Sequence, residues 1–273
     1  RLLGALLGAD ELPQVPFSIN ARGQVSGQQL VVQDARVNAG RLGVSVTGMI
    51  PNLENPTQAN LAATANLPAI EVFRDLARLP PGVTGPVDAT LEVDTDGKQS
   101  DVSATLSSRF GELNVTGYLS NRPDLAGSLL DITAEGTEIA DILALAGQED
   151  KLTGPWSLAS TVTVTPEQIE LSRGQLGLDG AAGEFSLTTS RQRPGDSVRG
   201  QLAVTVENTR QTASSWLASP EDTRLLPEQP LEAAAALTWR DEALTLEKVN
   251  ITLADFGISG ELKGLPAQNT VNA

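Results

Sequence analysis

Apolar and polar residues alternate along most of this chain with a period of two. In Val87-Asp88-Ala89-Thr90-Leu91-Glu92-Val93-Asp94 every odd position is apolar and every even one polar. Such a segment is a strand with one wet face and one apolar face. Val102, Ala104 and Leu106 alternate with Ser103, Thr105 and Ser107, and Leu113, Val115 and Leu119 with Asn114, Thr116 and Ser120. Asp96-Gly97 between the first two strands is a hairpin signal. A fourth strand is expected over about 126–135. A short helix over 137–146 follows, with Thr137 as its N-cap and Gly147 as its stop. Other stretches copy this plan, with first strands at 17–25, 156–164 and 231–239 and a late strand at 198–206.

Three landmarks share one spacing. Gly85-Pro86 and Gly154-Pro155 are 69 residues apart, and Pro16 and Pro230 flank them at 70 and 75. Leu42-Gly43-Val44-Ser45-Val46-Thr47-Gly48 matches Phe110-Gly111-Glu112-Leu113-Asn114-Val115-Thr116-Gly117 with one insertion. Phe256-Gly257-Ile258-Ser259-Gly260 is a shorter version. The helical patterns starting at Ile70 and Ile139 are again 69 residues apart. A fixed period of this size marks a repeat architecture. The expected organisation is a helix of a truncated preceding repeat at 1–15, repeats at 16–85, 86–154 and 155–229, and a truncated fourth at 230–273. The chain therefore reads as a piece of something longer. The expected fold class is mainly β, built of repeated β-β-β-β-α units with a period of about 69 residues.

One short helix per four strands is too little to cover a continuous aliphatic face, and such a face needs a partner. An elongated, curled sheet around a greasy trough satisfies the pattern, and so does a sandwich in which two halves of the sheet bury each other. Composition leans toward the trough. Aromatics are only 3% of a chain that is 40% hydrophobic, so the lining is Leu, Val, Ile and Ala rather than bulky core fillers. Cysteine and histidine are both absent. That removes disulfides, thiolate nucleophiles, Cys/His zinc sites and Ser–His–Asp triads. The net charge of −15, from 19 basic and 34 acidic residues, argues against nucleic acid as a partner. No apolar run approaches the roughly 20 residues of a transmembrane helix.

The Gly-Pro-opened four-strand unit, the Leu/Phe-Gly-x-(x)-Val/Ile-x-x-Gly turn and the Ile-x-x-Ile/Phe-x-x-Leu helix resemble the AsmA-like family, the bridge-like lipid-transfer proteins of the Gram-negative envelope. The segment LPAIEVFRDLARLPPGVTGPVDATLEV followed by RFGELNVTGYLS carries the resemblance most strongly. It covers most of the chain through degenerate motifs. The resemblance implies a taco-like β-groove that conducts phospholipid between inner and outer membranes. It also implies a periplasmic body belonging to an inner-membrane-anchored protein, no cofactor, and a link to outer-membrane protein assembly. Acyl chains of phospholipid are the implied partners, together with the two membranes and outer-membrane proteins. The alternative is a dry β scaffold or assembly factor for outer-membrane proteins. A carboxylate-based hydrolase is the least supported reading, and the expectation is a non-enzyme.

The candidate lining positions are Phe17, Ile19, Val44, Val46, Val87, Leu91, Val93, Val102, Leu106, Leu113, Val115, Val162, Val164, Leu202, Val204 and Leu237. Each is equally an ordinary core position, and alternation alone does not say which apolar face is concave. Asp94, Asp96 and Asp101 around Gly97 loosely suggest a calcium loop but lack its spacing and closing glutamate, so a polar hairpin tip is expected. Glu149/Asp150 and Glu221/Asp222 read as solvated loops. Arg191-Gln192-Arg193 reads as a hairpin tip, with a lipid-headgroup contact as the sharper alternative. Trp216 is expected to pack a helix over 211–218 against the sheet.

Overall fold

The computed structural model describes residues 16–54, 59–73, 82–145, 152–191, 197–216, 223, 226–240 and 243–266. The expected helix at 1–15, the pairs Glu149/Asp150 and Glu221/Asp222, and Gln192-Arg193 lie outside the described residues. The fold is mainly β. Its strands are β1 (Phe17–Ser26), β2 (Gln29–Ala39), β3 (Leu42–Ile50), β4 (Asn60–Leu67), β5 (Val87–Thr95), β6 (Gln99–Ser108), β7 (Gly111–Ser120), β8 (Leu129–Gly136), β9 (Trp156–Val164), β10 (Gln168–Leu178), β11 (Ala181–Ser190), β12 (Ser197–Val206), β13 (Leu231–Arg240), β14 (Ala243–Leu253) and β15 (Phe256–Pro266). The helical elements among the described residues are a 3-10 turn at Ile70–Phe73 and the helices α1 (Ile139–Leu145) and α2 (Thr209–Trp216). They follow β4, β8 and β12 respectively. The chain forms two compact units, the first holding β1–β7 and the second β8–β15. Within each unit every strand pairs antiparallel with its neighbours in sequence.

The connections show why the chain turns where it does. The first residue of each helical element donates its N–H to the carbonyl just before a proline. Ile70 donates to Gly85 at 3.2 Å, Ile139 to Gly154 at 2.9 Å and Thr209 to Gln229 at 3.0 Å. Proline, without an N–H of its own, then leads into the next strand, which begins one residue later. Gly85 and Gly154 have φ of 93° and 102°, a region open to glycine and strained for other residues. A carboxylate closes each glycine loop: Glu71 accepts the Gly85 N–H at 2.9 Å and Glu138 accepts that of Gly154 at 3.0 Å.

Several expected boundaries shift. Residues 70–76 read as helix; the described part, Ile70–Phe73, is one 3-10 turn, and 74–76 lie outside the described residues. Glu138 replaces Thr137 at the head of α1, its carboxylate accepting from Ala140 at 3.4 Å. The helix expected at 211–218 starts at Thr209, because Asn208 caps it: its side-chain oxygen accepts from Gln211 at 3.0 Å and its carbonyl from Thr212. The fourth strand begins at Leu129 rather than 126, because Leu125 turns the chain with φ of 55° and accepts the Ser128 hydroxyl at 2.7 Å.

Four strands carry bulges among the described residues, β15 between Leu262 and Leu265 being one of them. Residues between Val32 and Ala35 interrupt β2, those between Leu171 and Gly174 interrupt β10, and those between Leu246 and Val249 interrupt β14. Each inserts a residue against its partner and sharpens the local twist. β6 instead pairs in unbroken register with both neighbours.

Candidate functional site

Residues directly opposed across antiparallel strands share a face, so the register assigns every strand position to one side. In the first unit the pairings run Ile19↔Val37, Val37↔Val44, Val44↔Ala65, Ala65↔Ala89, Ala89↔Leu106 and Leu106↔Leu113. A second row runs Val46↔Ala63, Ala63↔Leu91, Leu91↔Ala104 and Ala104↔Val115. Phe17 opposes Ala39, Val87 opposes Ser108, and Val93 opposes Val102. Phe17, Ile19, Val44, Val46, Val87, Leu91, Val93, Val102, Leu106, Leu113 and Val115 therefore lie on one face of the first unit. In the second unit Val164↔Ile169, Val162↔Leu171, Leu171↔Leu187, Leu187↔Gly200 and Gly200↔Leu237 trace one side. Phe185↔Leu202 and Gly183↔Val204 belong to the same side. Val162, Val164, Leu202, Val204 and Leu237 share that face.

The opposite faces are polar and stitched across strands. Ser45 and Thr64 share a hydroxyl hydrogen bond at 2.7 Å, Thr105 donates to Asn114 at 2.9 Å, Thr161 donates to Asp131 at 2.7 Å, and Asn66 donates to Asp88. These ladders satisfy polar groups on the solvated side and leave few hydrogen-bonding side chains on the aliphatic side, Ser108 and Ser160 among them.

The aliphatic faces are largely uncovered. Among the described residues the buried hydrophobic side chains are Val87, Phe110, Ala126 and Val206. Val87 opens β5 directly after Pro86, and Val206 closes β12 just before α2, so cover is confined to strand ends. Ile19, Leu91, Leu106, Leu113 and Leu202 are exposed, with Leu91 at 41%. Val44, Val46, Val93, Val102, Val115, Val162, Val164, Val204 and Leu237 are half-buried. Phe17 is placed by its backbone register alone. Exposure is greater on the outermost strands, reaching 78% at Phe256 and 69% at Ile258.

Val25, Val37, Phe256, Ile258 and Leu262 belong to the same faces and were not among the predicted positions. Val25 continues the odd row of Phe17 and Ile19, and Phe256, Ile258 and Leu262 alternate with Gly257, Ser259 and Glu261; the signal at Val37 is a change of parity, which β10 shares. Apolar residues are even at Leu30 and Val32 and odd from Ala35 to Ala39; they are odd at Ile169 and Leu171 and even at Leu176 and Leu178. The change marks the bulge, and reading across it extends the apolar row.

The other tempting features have ordinary roles. The Asp96 carboxylate accepts the backbone N–H groups of Lys98 at 2.8 Å and Gln99 at 3.0 Å. The bond from Gln99, then that from Lys98, hold its pKa below the usual carboxylate value. Among the described residues no three acidic side chains converge as a metal site would require. Arg191 donates to the Thr165 carbonyl at 3.0 Å and lies 4.0 Å from Asp124, which ties it to the β9–β10 turn and to the loop before β8. The Trp216 side chain lies outside the described residues. No helix among the described residues is long and apolar enough to cross a membrane.

Hollows on the sheets follow the polar rows instead. One of about 340 Å³ in the first unit is lined by Arg36, Ser45, Thr64, Asn66, Asp88 and Thr90 among others. A larger one in the second unit lies between the bulges of β10 and β14. No family model, curated protein or solved structure matches this chain.

Proposed function

We propose that each unit presents its aliphatic face to the acyl chains of phospholipid, and that the protein is a conducting segment of an AsmA-like lipid-transfer protein in the periplasm. The observation that carries this reading is the agreement between register and exposure: the rows collect the aliphatic side chains on one side of each unit, and that side stays open. An aliphatic surface this extensive calls for an occupant. Lipid suits it chemically, because the rows offer Leu, Val, Ile and Ala with few hydrogen-bonding side chains among them. Half-covering two acyl chains would contribute on the order of 10 kcal/mol at about 0.8 kcal/mol per CH₂. Near-equal steps along such rows favour sliding over tight holding at one place.

The proposal includes the four-strand repeat and a curled, taco-like groove. The recurring helical element after β4, β8 and β12 supports the repeat, as does its N–H to the residue before a proline. The bulges in β2, β10 and β14 support the curl. Mass spectrometry of lipid co-purified with the chain from a Gram-negative periplasm, without detergent, tests the function. Phospholipid at stoichiometric ratio or above is the expected result. Folded, soluble protein free of lipid would overturn it and favour a dry scaffold for outer-membrane protein assembly.

A further inference from the structure

The hollow between the bulges of β10 and β14 has a volume of about 550 Å³, within the range of small-molecule sites. Ala203, Ala234 and Ala236 are among its lining residues, and Gln175, Ser186 and Gln201 add polar groups. Apart from Arg173 and Lys248 its lining comes mainly from the polar rows, with Phe185, Leu202 and Ala235 contributing from the aliphatic side. Arg173 and Lys248 also line it, one from each bulge. Both have φ of 51°, an uncommon conformation for residues other than glycine and a frequent mark of functional positions. Among the described residues neither side chain makes an ion pair. Its lining sets these two cations against the single carboxylate of Glu184, with Glu247 opposite Ala236 beside it, in a chain whose net charge is −15.

We infer that this hollow binds an organic anion, a carboxylate or phosphate ester carried on an apolar body. The alanines receive the body, and Arg173 and Lys248 face the charge. The same chemistry is found in a soluble metabolite and in a lipid with a phosphate-monoester head.

The test compares 1-pyrenebutyrate with its neutral amide, which has the same body without the charge, by fluorescence anisotropy on the intact chain. The carboxylate should bind about fivefold tighter, the size expected of two solvent-accessible charge pairs. In the double variant Arg173→Gln/Lys248→Gln that preference should vanish while amide binding stays unchanged. In the parent protein the preference should shrink as salt rises. Leu91→Asp, in the other unit, should leave it intact. Equal binding of acid and amide, a preference that survives the double variant, or one indifferent to salt would each overturn the assignment. Circular dichroism of the double variant verifies that it folds. Competition by a soluble phosphate monoester and by vesicles containing phosphatidic acid then separates the two sources: displacement by the soluble ester supports a metabolite site, and displacement by the vesicles alone supports a lipid site.

Discussion

Replacing Leu91 with aspartate separates an open conducting face from a packed core. Leu91 sits mid-strand between Ala63 and Ala104 on the adjacent strands, two side chains too small to enclose it. Full burial of a leucine side chain is worth about 1.5–3 kcal/mol. Leu91 is 41% exposed, so the folded state realises about 1–2 kcal/mol of that. The carboxylate of Leu91→Asp reaches water on the open face, so Leu91→Asp should cost about 1–2 kcal/mol in urea unfolding. Val87→Asp is the internal standard. Val87 is 5% exposed, and a charge there should cost more than about 3 kcal/mol. With lipid bound, the Leu91→Asp carboxylate would lie under acyl chains. Co-purified phospholipid should then fall at least about tenfold, equivalent to about 1.4 kcal/mol, with the far-ultraviolet circular dichroism spectrum unchanged. Equal destabilisation by Leu91→Asp and Val87→Asp would refute the reasoning and make Leu91 core. So would unchanged lipid content in a folded Leu91→Asp protein.

Other outcomes follow from single contacts. A Cβ added at Gly174 would stand 2.5 Å from both the ring and the carbonyl oxygen of Phe185, so Gly174→Ala should destabilise by about 1–3 kcal/mol through overpacking, read by denaturant unfolding. Glu138→Ala removes the acceptor of the Gly154 and Ala140 N–H groups and should cost about 1 kcal/mol, read as a lower Tm; Glu138→Gln, which keeps an acceptor oxygen, should recover part of it. The lowered pKa of Asp96 means that its ionised form is favoured by folding. Its contribution is fully present above the unfolded carboxylate value and is lost as pH falls through the lower folded value. Asp96→Asn should therefore flatten the acid limb of the stability curve below about pH 4, and carboxyl NMR titration should find Asp96 below the usual carboxylate value.

Much of the strand layout was legible because its cause is local. A strand with one wet and one dry face writes its period into eight consecutive residues, as in 87–94, and Asp96-Gly97 marks a turn through the backbone freedom of two positions. The strands expected at 156–164 and 198–206 agree with β9 and β12 to within a residue for that reason. Helix ends were less legible. Glu138 takes the role expected of Thr137 because its carboxylate also meets Gly154, 16 residues away, and no local pattern contains that partner.

The sequence by itself determined that aliphatic and polar residues would separate onto two sides of each strand, and that no cysteine or histidine chemistry would operate. Only the tertiary structure decided which sides coincide. Register is a relation between strands distant in sequence, and one inserted residue inverts every later side chain in its strand. The bulges in β2, β10 and β14 make that inversion and keep the aliphatic rows continuous. The structure also decided how open those rows are, because exposure depends on neighbours such as Ala63 and Ala104, which meet Leu91 only once the strands have paired.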